Sequence, residues 1–161
     1  MWMFGLKILV ICLAIIHPLI FIYFYGQRIT LSSYWDTLLE PLFIISNAST
    51  SYFLFSLKYW RLPSLFLLLL TAFPVYTFPL THNILAGLFF VGAGAALFNR
   101  PTFRNYVWLY ISVLLLGFMS WLWVEIAAIW VLCLYHLNIL LLVKEKLENL
   151  GFKIIFSYIL V

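Results

Sequence analysis

Charge is what this sequence has least of. Nine Lys or Arg and five Asp or Glu make up 9% of its 161 residues, while 66% are hydrophobic. A water-soluble domain of this size needs far more charge on its surface and has no interior large enough for so much apolar material. Cysteine is scarce too. Cys12 and Cys133 each fall inside an apolar run, and no CxxC pair or His/Cys cluster accompanies them, which argues against a structural metal site. Both read as small buried hydrophobes. The nine basic residues occur singly or in pairs between apolar runs, so no basic stripe exists to follow a phosphate backbone, and nucleic acid is not an expected partner.

What is present is apolar sequence in runs of about 20 residues, the length a helix needs to cross a hydrocarbon core of roughly 30 Å. Backbone polar groups in lipid must be paired internally, so the spans have to be helices or a closed barrel. These runs are continuous rather than alternating, which selects helices. The expected fold is therefore all-α, a membrane-embedded bundle of six transmembrane helices over residues 1–151. A short apolar segment, 152–161, lies at the interface.

The spans are predicted at 3–25, 41–57, 63–80, 82–98, 106–120 and 121–143. The first resembles a signal peptide, with Lys7 as its positive flank, but its apolar run is too long and no small-x-small site precedes Gly26. Pro18 is expected to bend it. Residues 27–40 form the longest polar loop. Pro41 suits a first helical turn, and Pro74 and Pro79 predict a kinked or partly unwound outer half for the third span. Gly87, Gly92, Gly94, Ala95 and Ala96 give the fourth span a small-residue surface for close helix packing; no strand precedes these glycines, so a phosphate loop is disfavoured. Lys144 and Glu148 have helical i,i+4 spacing, and Gly151 is the expected stop of the last helix.

Orientation follows from charge. With the N-terminus inside, the inner segments hold Lys7, Lys58, Arg61, Arg100, Arg104, Lys144, Lys146 and Lys153, and the outer ones only Arg28. This positive-inside bias predicts cytoplasmic termini. Trp2, Trp35, Trp60, Trp108, Trp121 and Trp123 fall near span ends, and only Trp130 lies deep. The lipid bilayer is the expected partner, in a bacterial inner membrane.

Threading the chain this way puts Asp36, Glu40, His82 and Glu125 at the outer boundary. At 100° per residue, Glu40, Asn47 and Ser51 share a face of the second span to within roughly 40°. Glu125 and His136 share a face of the sixth, about 16 Å apart in depth. His17 is a further intramembrane candidate. An acid facing lipid is costly, so Glu125 should point inward. The expected arrangement is one polar cavity open to the outside, formed by Asp36, Glu40, Asn47, Ser51, His82, Glu125 and His136, with His82 at its mouth and His136 near its floor. Plainer roles exist for each. Asp36 and Glu40 can be solvated acids, and His82 beside Asn83 an ordinary helix start. Asn47, Ser49, Thr50 and Ser51 can be interhelical hydrogen-bonding groups. Asn47-Ala48-Ser49 matches a glycosylation acceptor but falls inside the membrane.

The run Leu31-Ser32-Ser33-Tyr34-Trp35, then Pro41-Leu42-Phe43-Ile44, Phe73-Pro74, and His82 with Ala86 and Phe89-Phe90 resembles a family of uncharacterised bacterial multi-pass integral membrane proteins. That family carries Ser-x-Tyr-Tyr after its first helix, Phe-Pro in its third and His-x3-Ala-x2-Phe-Phe opening its fourth. Arg104-Asn105 and Glu125 look similar as well, and the resemblance covers residues 31–130. Trp35 and Asp36 stand where the family has Tyr and His, and the second span is richer in Ser and Asn. A fainter similarity is to zinc-dependent seven-helix hydrolases related to alkaline ceramidase, whose Ser-x3-His and His-x3-His patterns are absent here. Three classes of function follow: an accessory or small-ligand/lipid-binding protein, alone or within a larger membrane complex; a metal-assisted hydrolase at the outer surface; and a proton- or ion-conducting subunit. The sequence assigns no cofactor.

Overall fold

Apolar runs without strand periodicity give an all-helical chain. The computed structural model describes residues 2–99, 101–116 and 120–159, with side chains described over 5–99, 102–116 and 120–146. Its six α-helices are α1 (Trp2–Tyr25), α2 (Glu40–Phe55), α3 (Arg61–Leu70), α4 (Pro79–Phe98), α5 (Arg104–Leu115) and α6 (Trp121–Ile159). Each helix packs against its neighbours in sequence, and α6 returns to pack against α1, so the six close into a ring.

Three helical stretches are long and apolar enough to cross a membrane: Gly5–Tyr25, Pro79–Phe98 and Trp121–Lys146. The other three are shorter than predicted. α3 has 10 residues and α5 has 12, about 15 and 18 Å of rise. The third span fails as a continuous helix because Pro74 forces the residue before it out of helical geometry. From Thr71 the chain makes successive turns, Thr71 N–H to Leu68 C=O at 3.0 Å and Phe78 N–H to Pro74 C=O at 2.9 Å. Pro79 then opens α4, where its missing N–H costs nothing.

α1 runs through Pro18 to Tyr25 and is closed by Gly26. That residue adopts φ +70°, a left-handed cap that glycine enters without strain, and its N–H reaches the Ile22 carbonyl at 2.9 Å. At the other end of the chain Gly151 does not stop α6, which continues to Ile159. A glycine inside a helix costs only about 1 kcal/mol relative to alanine and does not compel a break. The predictions made for Arg100, for residues 117–119 and for the side chains of Trp2, Glu148 and 152–161 lie outside what is described.

The predicted small-residue surface of α4 is used in part: Gly92, Gly94 and Ala96 pack against neighbours, whereas Gly87 and Ala95 are exposed and a Cβ at Gly87 meets nothing within 4 Å. A Cβ at Gly92 would stand 3.1 Å from Pro63 Cγ on α3, and one at Gly94 would stand 3.4 Å from Tyr110 on α5. Ala93 and Ala96 are fully buried between them. The tryptophans divide. Trp108, Trp121 and Trp123 are exposed near helix ends, but Trp35 and Trp60 are core residues. The cysteines divide also. Cys133 is buried, whereas Cys12 lies on the outward face of α1, away from the Val10, Ala14 and His17 face that enters the ring.

Candidate functional site

The ring encloses two small chambers. The one nearer the loop 26–40 is bounded by His17, Asn47, His82 and Glu125, with Leu31 and Ser32 above them. The deeper one is bounded by His17, Asn47, Thr50, Cys133 and His136 among apolar neighbours. His17, Asn47, Leu67, Phe89 and Ile129 line both, so the chambers adjoin. Each has a volume of about 50 Å³. At ~10–15 Å³ per probe-sized water this is room for a few waters or one small polar group, and not for a bulky ligand.

His82 is 1% exposed. Its Nδ1 lies 2.7 Å from the Phe73 carbonyl oxygen. A carbonyl can only accept, so Nδ1 carries the proton and donates, and in the neutral ring Nε2 is left as an acceptor. The same bond supplies a donor to the irregular stretch after α3, whose backbone has no helical partners there. Nε2 is buried and has no hydrogen-bond partner.

His136, 4% exposed, also has a buried Nε2 without a partner. Its ring is held by aromatic edges, with Trp60 at 4.5 Å, Tyr135 at 5.0 Å and Phe53 at 5.3 Å between centroids. His17 Nδ1 lies 3.2 Å from the Leu13 carbonyl and 3.0 Å from Ser46 Oγ.

Glu125 accepts the Leu31 N–H through Oε2 at 2.7 Å. This ties the 3-10 turn Leu31–Tyr34 to α6. The turn begins with a reciprocal cap between Thr30 and Ser33. Tyr34, fully buried, stacks on Phe21 at 5.2 Å; its hydroxyl donates to the Gly26 carbonyl at 2.5 Å and accepts the Arg28 N–H at 3.2 Å. Burial pushes the Tyr34 phenol above its ordinary range, against the opposing pull of the Arg28 N–H and charge. The Arg28 guanidinium also donates to the Ser33 carbonyl and to Asp36, and Tyr76 Oη donates to the same Ser33 carbonyl at 3.2 Å. These bonds fix a polar cap over the outer chamber.

The seven residues expected in one cavity are thus divided. Asn47, His82, Glu125 and His136 line the chambers, with His82 inside rather than at a mouth, and Glu125 and His136 in adjoining chambers rather than one. Asp36 is exposed and forms an ion pair with Arg28 at 2.6 Å. Glu40, half-buried, lines neither chamber. Ser51 donates to the Ser64 carbonyl at 2.6 Å, a link between α2 and α3. The stripe on α2 splits because that helix lies between α1 and α3: a 40° spread is enough to send its members to different neighbours.

His17 belongs to the site although the expected cavity omitted it. Its spacing from Ala14 and Phe21 places the three on one helix face, a signal legible in the sequence. The Leu31 amide had no such signal, being a backbone group. Among the described residues no three His, Cys, Asp or Glu side chains converge as metal ligands. Set against known proteins, the chain matches no family model, no curated protein and no solved structure.

Proposed function

We propose that this chain is a six-span membrane protein with both termini cytoplasmic, which binds a small polar group in the paired chambers of its helix ring. One observation carries the reading. His82 and His136 each present a buried, unpartnered Nε2 in residues that line adjoining chambers. Leaving a polar atom buried and unpaired costs about 1–3 kcal/mol, and an ionisable group retained at membrane depth is by default functional. A purely accessory role gives no reason to keep both. The hydrolase reading has less support, since no triad of ligands converges among the described residues.

The six-span topology rests on the distribution of basic residues and on the ring. The three shorter helices complete that ring, and the His82 bond to Phe73 helps the unwound stretch after α3 tolerate an apolar setting. The resemblance over residues 31–130 supports a bacterial cytoplasmic membrane. Cysteine labelling tests the topology: Leu38→Cys, at a position 92% exposed, and Thr102→Cys should react from opposite sides. Reaction of both from one side ends the six-span reading.

Binding is tested by native mass spectrometry of the protein released gently from its own membranes. Wild type should carry a bound small molecule that His82→Phe loses while retaining its elution volume. A bare wild-type mass, or an adduct indifferent to His82, would end the binding reading. A second reading, proton conduction, is favoured by His17 lining both chambers between Glu125 and His136. It requires proton flux in loaded vesicles that falls in His17→Phe.

A further inference from the structure

A third cavity reaches Glu125 from outside the ring. It is a groove of about 460 Å³ lined by Thr30, Asn83, Gly87, Leu114, Trp121 and Glu125, and it shares Ala86, Phe90 and Glu125 with the outer chamber. Its volume is roughly nine times that of either chamber. Asn83, Gly87 and Trp121 are exposed, so the groove faces outward between α4 and the α5–α6 pair. Its residues sit at the outer ends of those helices, the depth where tryptophan marks a membrane interface.

The chemistry differs at its two ends. Leu114, Trp121, Val124 and Phe90 make the outer wall apolar. At the inner end are acceptors. Glu125 uses Oε2 for Leu31, and among the described residues no cation pairs with it. Beyond it, in the chamber that Glu125 also lines, His82 Nε2 is an acceptor without a donor. A carboxylate and a neutral imidazole nitrogen can both accept, and a positively charged donor suits the two together because it would hold the carboxylate ionised. The chamber is too small for more than a head.

We propose that the groove holds a single-chain amphiphile with a primary-ammonium head, the hydrocarbon lying along Phe90, Leu114 and Trp121 and the ammonium donating to Glu125 and His82 Nε2. This rests on the binding reading above and names its ligand class. Gly87 offers a clean obstruction, because a Cβ there meets nothing within 4 Å. Gly87→Leu therefore places its first added carbon in open space at the groove's lining and adds bulk there.

The test uses the full chain in phosphatidylcholine nanodiscs, photolabelled with hexadecylamine bearing a mid-chain diazirine and mapped by peptide mass spectrometry. Diazirine-bearing palmitic acid and hexadecanol serve as comparators. The amine should label Phe90, Leu114 or Trp121 well above the rest of the chain and above both comparators. Glu125→Gln should lower that labelling about tenfold, the effect of losing one charge-assisted hydrogen bond, and Gly87→Leu should abolish it. Both variants should keep the wild-type elution profile; if Glu125→Gln does not, Gly87→Leu decides. Labelling spread evenly along the chain, or unchanged by Gly87→Leu, overturns the groove. Equal labelling by the acid or the alcohol overturns the ammonium head. If these fail while native mass spectrometry still finds a His82-dependent adduct, the groove alone falls and chamber binding stands. If the adduct is missing too, both fall.

Discussion

The cap over the outer chamber and the seam between α3 and α4 are held in opposite ways. In the cap, the hydroxyl of Tyr34, the guanidinium of Arg28 and the carboxylate of Glu125 each join two or more segments through directed hydrogen bonds. At the seam, Gly92 meets Pro63 and the attraction comes from backbone approach and shape. Directed bonds tolerate exchange of one partner where water or another donor can substitute. A close-packed seam does not tolerate added volume, because packed interiors yield little to extra atoms. Loss of stability should therefore be steepest at the seam.

The strongest way to break this contrast is Gly92→Leu. Its first added carbon already falls 3.1 Å from Pro63 Cγ, so Pro63 must give way before the rest of the leucine is accommodated. We expect a loss of about 2–3 kcal/mol, read as a clear fall in melting temperature in detergent. An unchanged melting temperature would mean the seam is loose.

Tyr34→Phe probes the cap. It keeps the stack on Phe21 and removes one donor and one acceptor, leaving the Gly26 carbonyl and Arg28 N–H unserved. The expected cost is about 1–2 kcal/mol. The pH response sharpens the assignment. Because the folded-state phenol titrates above its ordinary value, its stabilisation is complete below pH ~10, the unfolded tyrosine value, and is lost as pH rises through the higher folded value. Wild type should therefore lose stability in that alkaline range more steeply than Tyr34→Phe. Parallel curves would place the hydroxyl outside the cap.

Asp36→Ala should do least. The pair with Arg28 is partly exposed, and such pairs contribute within about 0.5 kcal/mol and are screened by salt. A large, salt-sensitive loss would show that Asp36, and not Tyr34, anchors the cap.

The sequence disclosed the features that depend on composition and local spacing. All-helical structure, the three long apolar helices, the Gly92 seam and the inward turn of Glu125 and His136 were all legible there. What it hid were relations between segments. Pro74 was visible as a disturbance, but where α3 would end depended on turns that His82 then caps from α4. Glu40, Asn47 and Ser51 looked equivalent on a helical wheel, and α3 took Ser51 for itself. Trp35 and Trp60 looked like interface residues because they lie near span ends, yet both fill the core. Burial is decided by neighbours that a single helix does not contain.

The closure of the ring through α1 and α6 has a consequence for biogenesis. A chain is made from its N-terminus, at about 5–20 residues per second, so His17, Asn47 and His82 leave the ribosome before α6 exists. Until α6 docks against α1, those residues lack the wall that carries Glu125 and His136. The two chambers are thus walled only once α6 has followed the five helices before it. A chain truncated before residue 121 would leave His17, Asn47 and His82 without the wall that buries them.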